Sequence, residues 1–275
     1  MTTAAQVTPD PHADLQRSIS DARFQTFLDA AADDAKLARD LYVWNRDVSV
    51  GLLADIAVIE VALRNAMHDA AKNAWHSHWY ADPEVPLDDR SSSQLAGAWG
   101  LLHTSIKNRA EDADVPGRII AQCTFGFWTN LLDAGGYVGR PPRRHEADYD
   151  YLWKRAFKKA FPGGRIEAKR QRDAQIAALA PGPSRQQEVL RLRQEVAFTR
   201  VWVHRICKNV NELRNRVAHH EPIVNGFPLK GQHQRMTTQE GFDEILALAR
   251  MIDMPLATWI NSNSTVPALL AHRPS

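Results

Sequence analysis

Between Ser49 and Trp75 the apolar residues Leu52, Leu53, Ile56, Ile59, Leu63, Met67 and Ala71 return at steps of three and four, with no proline among them. One stripe at that period predicts an amphipathic helix. A second regular pattern follows "APGPS" (180–184), where Val189, Leu192, Val196, Thr199, Val203, Ile206, Val210, Leu213 and Val217 alternate the same steps. Ser184 with Gln187 has the spacing of a capping box at its start. Pro222 marks its end, because the residue before a proline is biased out of helical geometry. A seam of that length packs lengthwise against partner helices.

Shorter helices are expected over Ser93–Arg109, over "RIIAQCTFGFWTNLLD" (118–133), over "YLWKRAFKKAF" (151–161) and over "GFDEILALARMIDMPLATWI" (241–260). The breaks are "ADPEVP" (81–86), "DVPG" (114–117) and the loop "AGGYVGRPPRRHE" (134–146). In "FGFW" the aromatics read as core and Gly126 as a point of close helix approach. Alternating strand runs and internal repeats are not seen. The pattern predicts an all-α protein, a bundle with added helices. It is bounded by a flexible tail over 1–17, a single helical domain over 18–262 and a second flexible tail over 263–275.

Composition narrows the function classes. The 275 residues are 44% hydrophobic and 24% charged, an ordinary globular balance. Lys+Arg 34 against Asp+Glu 32 leaves a net charge of only +2, so any nucleic-acid surface must come from local clustering. Cys123 and Cys207 are the only cysteines and stand far apart. That speaks against a disulfide framework and against a cysteine zinc site. The first residues lack the basic-then-apolar order of a secretory signal, and no apolar run nears the roughly 20 residues of a membrane span. The expected setting is a reducing cytoplasm.

The chemistry gathers in "LRNRVAHHEP" (213–222). Lys208, Asn211, Asn215 and His219 form a polar stripe beside the apolar seam, and Glu212, Arg216 and His220 form another. His220 also falls at the next seam position if the helix persists. One reading is a capped helix end, since Arg and His complement the negative end of the helix dipole. A metal is disfavoured, because "HHE" lacks the i,i+4 histidine pair of a zincin and has no cysteine support. The chemical reading makes His219 or His220 a general acid or base and Arg214 a phosphate ligand that stabilises charge in the transition state. That set fits cleavage of RNA by its own 2′-hydroxyl.

Further candidates lie outside this helix. Glu60 and Arg64, four apart beside the apolar stripe, either pair on the surface or border the site and support it. Trp44 and Asn45 read as a core anchor and a helix-end cap. Two basic segments fit an RNA backbone or a solvated surface: "RPPRRH" (140–145) with Arg143 and Arg144, and the run from Lys154 through Arg155, Lys158, Lys159, Arg165, Lys169, Arg170 and Arg172.

"RNRVAHHEPI" (214–223) resembles the signature of Abi-like proteins, the abortive-infection group of the HEPN superfamily. That superfamily is marked by an arginine, usually a polar residue next, and a histidine four to six positions later. "LYVWNRDVSVGLLADIAVIEVALRNAMHDA" (41–70), "FGFWTNLL" (125–132), "LWKRAFKKAFP" (152–162) and "TWI" (258–260) are similar to further family motifs in the expected order. The resemblance spans about residues 20–260. It implies an HEPN-type antiparallel helical bundle with additional helices. It also implies a homodimer whose two Arg/His motifs face across a cleft, forming a ribonuclease site without cofactor or metal. The implied role is that of a toxin in phage defence, with an antitoxin, protein or small RNA, as a controlling partner. Carried over by position, Arg214 and His219 are the catalytic pair, with His220 the rival base. Asn215, Asn211, Arg216, Glu221, Glu60 and Arg64 support them. A module that binds RNA in the same basic cleft without cutting it is the competing expectation.

Overall fold

The computed structural model describes residues 15–229 and 235–275. Residues 1–14 of the expected N-terminal tail lie outside the described residues. Among those described, the helices in chain order are α1 (Asp21–Ala30), α2 (Ala35–Ala74), α3 (Asp89–Leu101), α4 (Thr104–Lys107), α5 (Val115–Gln122), α6 (Phe125–Asn130), α7 (Tyr149–Arg155), α8 (Gly164–Ala178), α9 (Arg185–Glu195), α10 (Arg200–Ala218), α11 (Thr238–Ile252), α12 (Met254–Asn263) and α13 (Val266–Ala271). Strands among the described residues are two antiparallel pairs of two-residue strands, β1 (Tyr137–Val138) with β2 (His145–Glu146) and β3 (Phe227–Pro228) with β4 (Arg235–Met236). The chain is mostly helical, and the first hairpin occupies the segment expected to be loop. No helix among the described residues is long and apolar enough to cross a membrane.

The stripe that predicts a helix from Ser49 belongs to α2, which starts earlier, at Ala35. Asp34 Oδ1 begins it by accepting from the backbone N–H groups of Lys36 and Leu37, which fills two of the orphan donors of the first turn. Leu52, Ile56, Ile59, Leu63, Met67 and Ala71 are fully buried, while Leu53 is 38% exposed. Each such burial contributes roughly 1.5–3 kcal/mol for a large aliphatic chain, which outweighs the modest helix propensity of the β-branched members.

The long seam does not form one helix. It bends at residues 196–199 between α9 and α10, although Leu192, Val196, Val203, Ile206, Val210, Leu213 and Val217 are all buried. Ser184 makes no side-chain cap. A reciprocal capping box sits instead at α11: Glu240 Oε2 accepts from Thr237 N at 2.7 Å, and Thr237 Oγ1 accepts from Glu240 N at 3.1 Å. The segment 118–133 splits into α5 and α6, and 241–260 splits into α11 and α12, where Asp253 Oδ2 receives Leu256 N. "DVPG" starts α5 rather than ending a helix. Residues 263–275, expected as a flexible tail, carry α13, whose Leu269 carbonyl accepts a 2.7 Å hydrogen bond from the Trp44 indole.

Two compact units divide the chain. The first comprises the described residues up to Asp55, those of Glu212–Phe242, and Ser264–Ser275; the second comprises Ile56–Asn211 and Asp243–Asn263. The first unit buries Phe24, Phe27, Trp44, Val48, Val217, Ile223 and Phe227. Its tight turn before β3 requires Gly226, at φ +68°, where a Cβ would stand 2.4 Å from the Met236 carbonyl oxygen. The second unit centres on aromatics, with Trp79 6.4 Å from Trp128 and 6.2 Å from Phe157 between ring centroids. Phe125, Phe127 and Trp128 are core, as read from the sequence. Gly126 is not a point of close approach, since the nearest atom to a Cβ there is 3.7 Å away, an ordinary contact.

Candidate functional site

Arg214, Asn215 and Arg216 lie on the last turns of α10, and His219, His220 and Glu221 follow directly. The helix ends in a Schellman closure. His219 N donates to Asn215 O at 2.9 Å, His220 N to Val217 O at 3.2 Å and Glu221 N to Arg216 O at 2.9 Å, which satisfies carbonyls that a helix end otherwise leaves open. The residue in left-handed geometry, normally a glycine, is His220 at φ +57°. A non-glycine residue there carries about 1–2 kcal/mol of strain. The alternative in which His220 continues the apolar seam is therefore not realised, because the helix stops two residues before it.

The turn is held by the rest of the first unit. Arg23 Nη2 donates to the His220 carbonyl. Asn45 Oδ1 accepts from Ile223 N at 2.8 Å, and Thr238 Oγ1 donates to the Ile223 carbonyl at 3.1 Å. Asn45 is thus no cap of its own helix. It sits inside α2 and fixes the chain that leaves the histidine turn. Trp44 is the buried anchor expected of it.

Three neighbouring cations have different commitments. Arg216 forms an ion pair with Glu221 through Nη1, and its Nη2 donates to the Pro228 carbonyl at 3.4 Å. Glu221 accordingly holds an arginine rather than a histidine. Arg214 is half-buried and reaches only the amide oxygen of Asn215, at 3.4 Å, with no carboxylate partner among the described residues. His219 is exposed, and its ring makes no hydrogen bond to a described residue. An unneutralised guanidinium and an accessible imidazole thus share one helix end, a pair that can bind a phosphate and move a proton.

The other residues marked in the sequence lie in the second unit. Asn211 is half-buried beside Gly126. Glu60 and Arg64 occupy the half-buried flank of α2 and form no ion pair with each other, so the surface-pair alternative is not realised. Burial pushes the Cys123 thiol up to about 12, with Arg64 acting in the opposite sense. Arg143 and Arg144 are exposed in the β1–β2 hairpin, with the Arg144 guanidinium 3.7 Å from the centroid of the Tyr137 ring. Lys154 and Lys159 are exposed, Lys158 lies 5.9 Å from the Phe198 ring centroid, and Arg155 donates to the Ala74 carbonyl. Arg170 is spent on Glu167. Only part of the basic run is therefore open to a phosphate chain. Among the described residues no three His, Cys, Asp or Glu side chains gather as a metal-binding group.

Sequence reasoning missed the residues facing His220. Arg23, Phe27, Tyr42, Arg46 and Ser49 line a cavity of about 470 Å³ together with it. Nothing in the linear pattern connects them, since they come from α1 and α2 while His220 follows α10. Comparison of the chain with protein-family models, with curated proteins and with solved structures finds no match.

Proposed function

We propose that this protein is a metal-independent endoribonuclease of the Abi-like HEPN type, a toxin in phage defence. In this reading it works as a homodimer whose antiparallel bundles set two α10 ends across one cleft, under the control of an antitoxin. Arg214 binds the non-bridging oxygens of the scissile phosphate. A histidine, His219 in the first instance, takes the proton from the ribose 2′-hydroxyl as that oxygen attacks phosphorus. The bond to the 5′-oxygen breaks, and a second imidazole, supplied by the facing motif, returns a proton to the leaving oxygen. The products are a 2′,3′-cyclic phosphate and a 5′-hydroxyl.

The observation that carries this reading is the contrast within one helix turn: Arg216 is neutralised by Glu221, whereas Arg214 and His219 have no such partner among the described residues. The test is cleavage of a mixed RNA pool by purified protein with EDTA present. Wild type is compared with Arg214→Ala, His219→Ala and His220→Ala, each checked for folding by circular dichroism. Cleavage by wild type that leaves cyclic-phosphate ends and disappears in Arg214→Ala is the expected result. Equal background in all four folded proteins, with RNA affinity that falls only when arginines are removed, would replace the enzyme by an RNA-binding module.

A further inference from the structure

We infer that the cavity beside His220 seats one nucleotide unit, a planar base with its phosphate. The inference rests on the ribonuclease reading and names the part of the substrate that reading leaves open. The cavity measures about 470 Å³, within the range of small-ligand sites. Its inner wall is aromatic: the half-buried Tyr42, backed edge to face at 5.1 Å and 70° by the buried Phe27, is a ring on which a nucleobase of any identity stacks. Ser49 lines it, and its buried hydroxyl has no hydrogen-bond partner among the described residues. An unmet buried hydroxyl is costly in a closed core, and a base edge that enters the cavity supplies the missing partner.

Charge points the same way. Arg23, Arg46 and His220 line the cavity, and among the described residues no carboxylate does. Arg23 spends one nitrogen on the His220 carbonyl and keeps guanidinium donors for a phosphate, whereas Arg46 is held by the Asp47 carboxylate through Nε and Nη2, both at 2.7 Å. A base in the cavity thus brings its own phosphate to the turn that carries both histidines. The same chemistry fits a nucleotide within an RNA chain or a free nucleoside monophosphate.

The experiment uses the full chain and two substitutions. Ser49→Leu fills the cavity. Val50→Glu sets a carboxylate at its mouth, on a residue 63% exposed whose replacement leaves the core untouched. Calorimetry measures binding of the four nucleoside monophosphates, of a five-nucleotide RNA and of that RNA with one abasic site, and cleavage mapping records the base beside each cut. The expected result is binding weakened about tenfold or more in both variants, as loss of one stacked base implies, with a changed base preference at the cut. RNA binding that shows this loss without monophosphate binding assigns the cavity to a nucleotide within the chain; loss of monophosphate binding assigns it to the free form as well. Unchanged binding and cut sites in both variants, with wild type still cleaving, overturn the cavity and leave the ribonuclease. Absence of cleavage by wild type, with nucleotide binding lost in both variants, keeps the cavity and removes the ribonuclease.

Discussion

Two sets of arginines in this protein meet opposite fates. In the second unit Glu167, 1% exposed, takes both forks of two guanidiniums: Arg170 through Nε at 2.7 Å and Nη2 at 2.6 Å, and Arg250 through Nε at 2.8 Å and Nη2 at 3.0 Å. Burial pushes the Glu167 carboxyl up, but the hydrogen bonds from Arg170 and Arg250 outweigh it and hold it below the ordinary glutamate value. At the end of α10 in the first unit, Arg214 has only an amide oxygen beside it among the described residues. A guanidinium fork saturated by a carboxylate has nothing left for a phosphate, whereas one facing an amide does. The difference separates arginines committed to a buried carboxylate from one with no carboxylate beside it among the described residues.

The sharpest way to break that comparison is to remove one arginine from each set. Arg214→Ala is expected to lower RNA cleavage by about 10²–10³-fold, the usual loss for one charge-stabilising donor. Its unfolding free energy should move by no more than about 0.5 kcal/mol. If urea denaturation shows the two falling together, Arg214 is a structural arginine after all. Arg250→Ala should do the reverse. Leaving Glu167 with only Arg170 and Gln171 is expected to cost about 3 kcal/mol, read as a lower urea midpoint with unchanged slope, while cleavage per folded molecule stays constant.

A smaller effect sharpens the same contrast through pH. Glu167 titrates below its unfolded value, so its stabilisation is present above the ordinary glutamate range and is lost as pH falls through the lowered value. Glu167→Gln should flatten the acid side of the stability curve. Glu244 behaves oppositely. Burial raises its carboxyl, only partly offset by Arg205 at 3.6 Å and Asn209 at 3.4 Å. Its contribution is present below the ordinary glutamate range and is lost as pH rises through the raised value. Glu244→Gln should therefore be more stable than wild type in neutral and mildly alkaline urea melts, and an unchanged curve would mean the carboxyl ionises without cost.

The sequence conveyed these regions unequally, for physical reasons. The α2 stripe was legible because six of its seven marked residues are buried at helical period. The bend between α9 and α10 was not, since burial resumes in step across it and neither proline nor glycine marks residues 196–199. The capping box was sought at Ser184, where the spacing fits, and lies at Thr237, just ahead of the helix expected over 241–260. Within the candidate site, Arg214, His219 and His220 were grouped by their closeness along the chain and by the family resemblance, and they lie at one helix end. Which arginine is neutralised was not legible: Arg216 and Arg214 are alike in the sequence, and only the folded turn brings Glu221 to one of them. The cavity was beyond reach for a similar reason, as Tyr42 and His220 meet only through the tertiary fold.

The smallest expected effect decides between the two histidines. His220 holds left-handed geometry that glycine adopts without strain. His220→Gly should therefore stabilise the protein, by up to about 1 kcal/mol, because relief of that strain is set against the extra entropy of the unfolded chain. The Schellman hydrogen bonds depend on backbone alone and should persist. If His219 is the acid–base group, His220→Gly retains cleavage with a weaker grip on the nucleotide, so that KM rises and kcat holds. A collapse of kcat in a protein that melts at or above the wild-type midpoint would transfer the proton to His220, and its strained backbone would then be the means by which that imidazole is aimed.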